Sequence, residues 1–472
     1  MTTPAGDRAR RVAIIGAGWA GLTAAIRIAQ AGAHCTIFEA ARTLGGRARC
    51  VDWETHGQRL ALDNGQHILI GAYRRTLGLL REIGIDPEDA FDRRPLHWAD
   101  TSGWSLRATT LRAPWHLVWG IVFARGLPLR DRFALARFLQ RVRNDGWRTS
   151  DEATVARLLD EHRQPAALVA HFWEPLCIAA LNTPVAIASA QVFLNVLRDS
   201  LGADARDSDF LLPSVDLGSL LPDAAADYLT TRVAQSATVA TGRRVQNVGI
   251  DERGFVLTGG TSTVLGDSER FDGLVIATPP AECARLLAPT ALRDARYRNV
   301  VARCGRFAFQ PIATAYLLYR ESPRWESRMI ALTVSAPHRH FGQWAFDRSD
   351  RLTDDGPDAP RGLVAIVISA DGPHRDLEAS ALIDALAHQL AVQCGLPSAP
   401  LDARLIVEKR ATFACTPDTP RIAATTPDAR LVLCGDHVGT DDPAAAYPAT
   451  LEAAVRAGEW AASSLVASIN RP

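Results

Sequence analysis

The first fifty residues change hydrophobic period twice. Residues 12–15 form a short, continuous apolar run of the kind that fills a buried parallel strand. Residues 20–31 recur at the helical period, and residues 35–38 return to a strand. Further on, residues 245–248 and 254–258 predict adjacent strands, and residues 274–277 predict another buried strand, closed by Thr278, Pro279 and Pro280. Residues 431–434 repeat the apolar strand pattern, and residues 449–464 read as a helix. Between these blocks, residues 96–224 are helix-rich by period. Residues 291–414 hold strand-like runs at 312–319 and 363–369. Residues 198–209 and 350–362 are polar, Asp-rich or Pro/Gly-containing loops.

The turn between the first strand and helix carries Gly16, Gly18 and Gly21, spaced G-x-G-x-x-G. Gly16 permits the tight turn, Gly18 lets backbone approach a pyrophosphate, and Gly21 lets the helix pack closely on the strand. The helix N-terminus offers free N–H groups and a positive dipole end to that anion. Glu39 closes the second strand, where a carboxylate accepts from ribose hydroxyls and repels a 2′-phosphate. The predicted fold class is therefore α/β. A Rossmann-like dinucleotide-binding domain is assembled from residues 1–95, 225–290 and 415–472. A second, α+β substrate domain is formed by residues 96–224 and 291–414.

Composition narrows the partners. Fifty-two basic side chains balance 52 acidic ones, so no global field draws the chain to nucleic acid. The eight cysteines form no C-x-x-C pair, which argues against a metal centre or disulfide framework. The first eleven residues are polar and lead straight into a strand, so a cytoplasmic protein without a signal peptide is expected. No apolar run is long enough to span a bilayer. Residues 111–123 are different: Trp115, Val118, Trp119 and Val122 share one helical face, and Arg112, Arg125, Arg130 and Arg132 flank it. This pattern suits either a helix lying in a membrane surface or a lid or core helix of the substrate domain.

A second glycine turn follows Glu39: Arg42, Gly45, Gly46 and Arg47. It resembles the FAD-containing amine oxidase and carotenoid desaturase superfamily, where such a turn brings backbone and an arginine against the FAD pyrophosphate. The resemblance implies FAD as cofactor. It places the segment Asp63-Asn64-Gly65-Gln66-His67 beside the isoalloxazine ring, with Gly65, Gln66 and His67 as contacts and Val245 as a further one. Near the C-terminus, Gly435 and Asp436 match the second FAD signature. Thr450 and Leu451 start a helix whose N–H groups would face the flavin N1–C2=O edge. No second G-x-G-x-x-G is present, so the flavin is expected to exchange electrons with an external donor.

Residues 63–80, 172–184 and 447–458 resemble the hydroxysqualene dehydroxylase family within that superfamily. The implied reaction is reductive loss of an allylic hydroxyl from a long isoprenoid. It requires an acid for the departing oxygen, a hydride donor, and exclusion of water from an allylic cation. Glu174 is the leading acid and Asp63 the second. Phe172 and Trp173 are expected in the pocket wall. An isoprenoid desaturase or amine oxidase on the same fold, and a non-enzymatic lipid escort, remain open as alternatives. The substrate's partition into lipid makes helix 111–123 an expected entry gate and peripheral contact on the inner face of the cytoplasmic membrane.

Overall fold

A computed structural model describes residues 9–201, 204–233, 237–259, 270–353, 356–357, 359–440 and 442–470. The reading of the polar N-terminus falls largely on residues 1–8, outside the described residues. Five parallel strands form the sheet at the glycine turns, in the order Ala237–Ala240, His34–Phe38, Arg11–Ile15, Gly273–Ile276 and Leu431–Leu433. Ile14 stands opposite Ile37 on one side and Val275 on the other. Three distant pieces of chain thus build one sheet. All five strands are short, as suits a parallel sheet covered on its faces.

The helix Trp19–Gln30 is buried almost all round, which explains its near-continuous apolar sequence. It packs on the C-terminal helix Leu451–Ile469. At the crossing, a Cβ on Gly458 would lie 2.4 Å from the Ala20 carbonyl oxygen, so only glycine permits this approach. The close contact holds the chain's two ends together.

A second, antiparallel sheet runs in the order Met329–Ala331, Trp344–Asp347, Gly362–Ser369, Phe309–Tyr319, Asp402–Phe413. Along Phe309–Tyr319 the alternation of side chains separates two environments. Ala313, Ala315, Leu317 and Tyr319 pack with Leu382, Leu386 and Leu390 of the helix Ala379–Cys394. Tyr316 and Leu318 face the main core instead.

Two sequence expectations shift here. The predicted strand at 245–248 lies at Asn247–Asp251 and pairs antiparallel with Gly254–Thr258, outside the parallel sheet. The parallel edge strand is Ala237–Ala240, whose four residues are too few to carry a clear strand pattern.

Candidate functional site

The parallel strand Arg11–Ile15 delivers the first glycine turn to the start of the helix Trp19–Gln30. Gly16 has φ +106°, and a Cβ there would meet the Ala277 carbonyl oxygen at 2.6 Å. A Cβ on Gly21 would lie 2.0 Å from the Gly16 carbonyl oxygen. At Gly18 the situation reverses: a Cβ would meet no described protein atom within 4 Å. Gly18 is also the N-cap, and no side chain caps this helix. The leading N–H groups therefore face open space, the arrangement that receives an anion.

The second glycine turn closes on the first. Gly45 donates its N–H to the Ala17 carbonyl at 2.9 Å and forms a parallel bridge with Gly18. Gly45 and Gly46 both have positive φ. Glu39 is half-buried and accepts from Ala17 N–H and Ala41 N–H, both at 2.8 Å, so its carboxylate sits at the lip of the first turn. Arg42 is exposed on the loop beyond. Arg47 reaches across to the C-terminal segment: its guanidinium lies 2.6 Å from Asp436 and donates to the Ala411 carbonyl at 2.7 Å. Burial alone would push the Asp436 carboxyl up, but the charges of Arg47 and His437 outweigh it and hold Asp436 well below the usual carboxylate range. Gly435 precedes it at φ +151°, and a Cβ there would strike the His437 ring at 2.5 Å.

Thr450 is the N-cap of the C-terminal helix and accepts from Ala453 N–H at 3.2 Å. Leu451 is its first residue. Beside this helix lies a cavity of about 460 Å3, lined by Phe307, Phe413, Asp436, His437, Tyr447 and Arg456 among others. Val245 is buried, and its carbonyl accepts from Arg285 at 2.9 Å.

The segment 63–67 enters a buried polar cluster. Asp63 is 4% exposed, and its Oδ1 accepts from Leu217 N–H at 2.8 Å. Burial raises the Asp63 carboxyl above its ordinary value, although the Leu217 N–H and the charge of Arg351 oppose the rise. Tyr316 donates its hydroxyl to the Asp63 carbonyl at 3.1 Å, and Gln66 donates its N–H to Thr314 Oγ1 at 3.4 Å. His67 Nδ1 lies 2.7 Å from the Gly65 carbonyl, and burial lowers the ring's proton affinity. Gly65 itself has φ +95°. Arg348, 2% exposed, donates to Gln66 Oε1 at 3.4 Å and to the Pro213 carbonyl at 2.8 Å. Thr314, Tyr316 and Arg348 carry no motif of their own. Only the period-2 alternation of residues 312–319 placed Thr314 and Tyr316 on one face.

The structure keeps the two aromatics expected in the pocket wall in contact and turns Glu174 away from them. Trp173 is fully buried, donates Nε1 to Gln164 Oε1 at 2.9 Å, and sits against Phe138 and Phe193. It is a core residue. Phe172 is also buried, with ring centroids 5.4 Å from Trp98 and 4.8 Å from Trp173. Glu174 is exposed at the start of the helix Glu174–Leu181. Successive helical residues point in different directions, so Glu174 does not share the wall of the aromatic pair. Of the two candidate acids, Asp63 has the dry surroundings. Asn182, at the end of the same helix, bolts it to the antiparallel sheet: it donates to Thr412 Oγ1 at 2.9 Å and accepts from Ala370 N–H at 2.6 Å.

The two glycine turns, the uncapped helix and the arginine–aspartate pair between the chain's ends form one cradle, and residues 19–466 match the family model for flavin containing amine oxidoreductases. The chain belongs to the flavin-containing amine oxidoreductase family. It is an oxidoreductase that uses a flavin. It is 28% identical to a hydroxysqualene dehydroxylase of Rhodopseudomonas palustris over 97% of this chain and 99% of the relative. With a hydroxysqualene dehydroxylase of Zymomonas mobilis it shares 25% identity, over 95% and 97% of the two chains. Among solved structures, a putrescine oxidase variant superposes with a TM-score of 0.68 at 16% identity, covering 97% of this chain and 99% of that one. Cyclohexylamine oxidase from Brevibacterium oxydans gives a TM-score of 0.66 at 16% identity, covering 98% and 100%. These two likenesses establish the fold. The open space at Gly18 and the uncapped helix behind it fit a phosphate group of a flavin cofactor. No helix among the described residues is long and apolar enough to cross a membrane.

Proposed function

We propose that this enzyme binds FAD and reductively removes the allylic hydroxyl of hydroxysqualene to give squalene. The observation that carries this reading is end-to-end similarity to hydroxysqualene dehydroxylases, over 95–98% of this chain. Residues 1–95, 225–290 and 415–472 form the FAD-binding domain in this reading, and residues 96–224 and 291–414 the substrate domain. Gly16, Gly18, Gly21, Gly45 and Gly46 receive the pyrophosphate. Glu39 turns from its Ala17 and Ala41 partners toward the ribose. Bound, the flavin supplies the hydride.

The chain's own residues hold the rest. Asp63, whose carboxyl burial raises above its ordinary value, is the proton donor to the departing hydroxyl, in preference to Glu174. Leu217 N–H and Tyr316 fix its position. The aromatic wall behind Phe172 excludes water from the reacting carbon. Each turnover consumes reducing equivalents, so an external electron donor must restore the flavin. A peripheral position on the inner face of the cytoplasmic membrane suits so apolar a substrate.

Product analysis tests the proposal. Purified holoenzyme, reduced without oxygen, is incubated with hydroxysqualene. Squalene formation that requires the reduced state supports the reading. Unchanged alcohol overturns it, and bleaching of oxidised enzyme by a more saturated isoprenoid would assign a desaturase instead.

A further inference from the structure

The helix Trp115–Val122 has one buried and one exposed face. His116, Leu117, Gly120 and Ile121 are buried against the body. A Cβ on Gly120 would meet the Arg107 carbonyl at 2.7 Å, so this face docks tightly. The opposite face is bare: Trp115 is 60% exposed and Phe123 70%, with Val118, Trp119 and Val122 exposed between them. The next helix, Leu129–Asn144, extends the patch with Leu129 at 69% and Phe133 at 72%. Arg132 fastens the two helices by donating to the Ala124 and Leu127 carbonyls, at 2.7 and 2.8 Å. The patch is therefore a held surface rather than a fraying end. Monomeric proteins rarely expose so many large apolar side chains together without a binding role.

Charge identifies the occupant. Residues 107–148 contain nine arginines and two aspartates, in a chain whose charges cancel overall. One of those aspartates, Asp131, is buried. Arg112, Arg125, Arg130 and Arg137 are exposed around the apolar face. A second copy meeting this face about a two-fold axis would set arginine against arginine. An anionic lipid surface answers both features, with acyl chains for the aromatic side chains and headgroups for the guanidinium groups.

We infer that the hairpin of helices 115–122 and 129–144 is a docking surface for an anionic bilayer. It seats the enzyme where an isoprenoid substrate is dissolved. This purpose rests on the proposed function, but the docking itself does not. Trp98 and Trp104 link the patch to the interior. The helix packs on the strand Ser105–Arg107, which pairs with His97–Ala99, and both tryptophans touch Phe172.

The test is flotation of the full-length holoenzyme with phosphatidylcholine vesicles, with and without phosphatidylglycerol. Binding is expected only with phosphatidylglycerol, and it should weaken as salt screens the arginines. W115S/W119S/F123S should lose about tenfold or more in partitioning, the factor that ~1.4 kcal/mol of lost interfacial burial represents. R112Q/R125Q/R130Q should lose a similar factor on anionic vesicles. Both variants should retain flavin and act normally on detergent-dispersed substrate. Vesicle binding by W115S/W119S/F123S equal to wild type would overturn the inference. So would a wild-type dimer that this variant dissociates, or wild type that ignores anionic vesicles. If wild type binds vesicles yet leaves hydroxysqualene unchanged, the docking surface stands and the proposed reaction fails.

Discussion

Two glycines three residues apart should respond oppositely to the same methyl group. At Gly21 the new Cβ would lie 2.0 Å from the Gly16 carbonyl oxygen and 3.0 Å from Ala277 Cβ. Alanine's helix propensity would contribute about 1 kcal/mol in favour. Overpacking of this kind costs ~1–3 kcal/mol or more. The obstacle is backbone in a tight turn, so the steric cost should win, and G21A should unfold at lower temperature even without flavin. At Gly18, φ is −75° and ψ 175°, an extended conformation that alanine adopts freely. The loss of a favourable N-cap, about 0.5–1 kcal/mol, roughly cancels the gain from a stiffer unfolded chain, ~0.4–1 kcal/mol. Apo G18A should therefore melt close to wild type. Its methyl group, however, occupies the space reserved for phosphate, and flavin affinity should fall about tenfold or more, equivalent to ~1.4 kcal/mol. Thermal melts of the apo-proteins and flavin titration by fluorescence read the two effects separately. Wild-type flavin affinity in G18A, or wild-type stability in G21A, would refute the reasoning.

Other consequences follow from the buried polar groups. D63N should keep its flavin and lower kcat by about 10²–10⁴-fold, the usual worth of a positioned acid. Because burial raises the Asp63 carboxyl, the wild-type rate should fall as pH rises through that raised value, a limb that a kcat–pH profile of D63N should lack. Y316F removes the 3.1 Å hydrogen bond to the Asp63 carbonyl and should cost about 1 kcal/mol in denaturant unfolding. D436N breaks the pair with Arg47. That guanidinium is partly exposed, so the loss at neutral pH should be about 1–3 kcal/mol. Asp436 titrates lower in the folded protein than unfolded, so its stabilisation is present above about pH 4 and fades as pH falls toward its folded value. Urea midpoints of D436N and wild type should converge in acid.

Much of this arrangement was legible from residue patterns because it is local. Strand, glycine turn, helix and acid lie within thirty residues, and each type has a backbone reason for its position. That residues 47 and 436 belong to one cofactor site is implied only by resemblance, and their direct pairing has no sequence signal, since no period encodes a contact between chain ends. The strand Ala237–Ala240 has no clear signal because four residues, Ala-Thr-Val-Ala, are too few to set a pattern at a sheet edge. Phe172, Trp173 and Glu174 are adjacent in sequence, but helical rotation turns both aromatics inward and Glu174 outward, a difference that residue types alone do not encode. Arg348 had no signal: it follows a strand, far from any motif, and tertiary packing alone brings it to Gln66. The exposed face of helix 115–122 was legible as amphipathic, but whether core or water covered it depended on the neighbouring elements.

The central claim is that a flavin held between the two ends of this chain delivers reducing equivalents to an isoprenoid alcohol. Stopped-flow absorbance of the reduced holoenzyme, mixed with hydroxysqualene under strict anaerobiosis, tests it most directly. The account predicts return of the oxidised flavin spectrum, with one squalene formed per flavin oxidised. A flavin that stays reduced in the presence of saturating alcohol would contradict it.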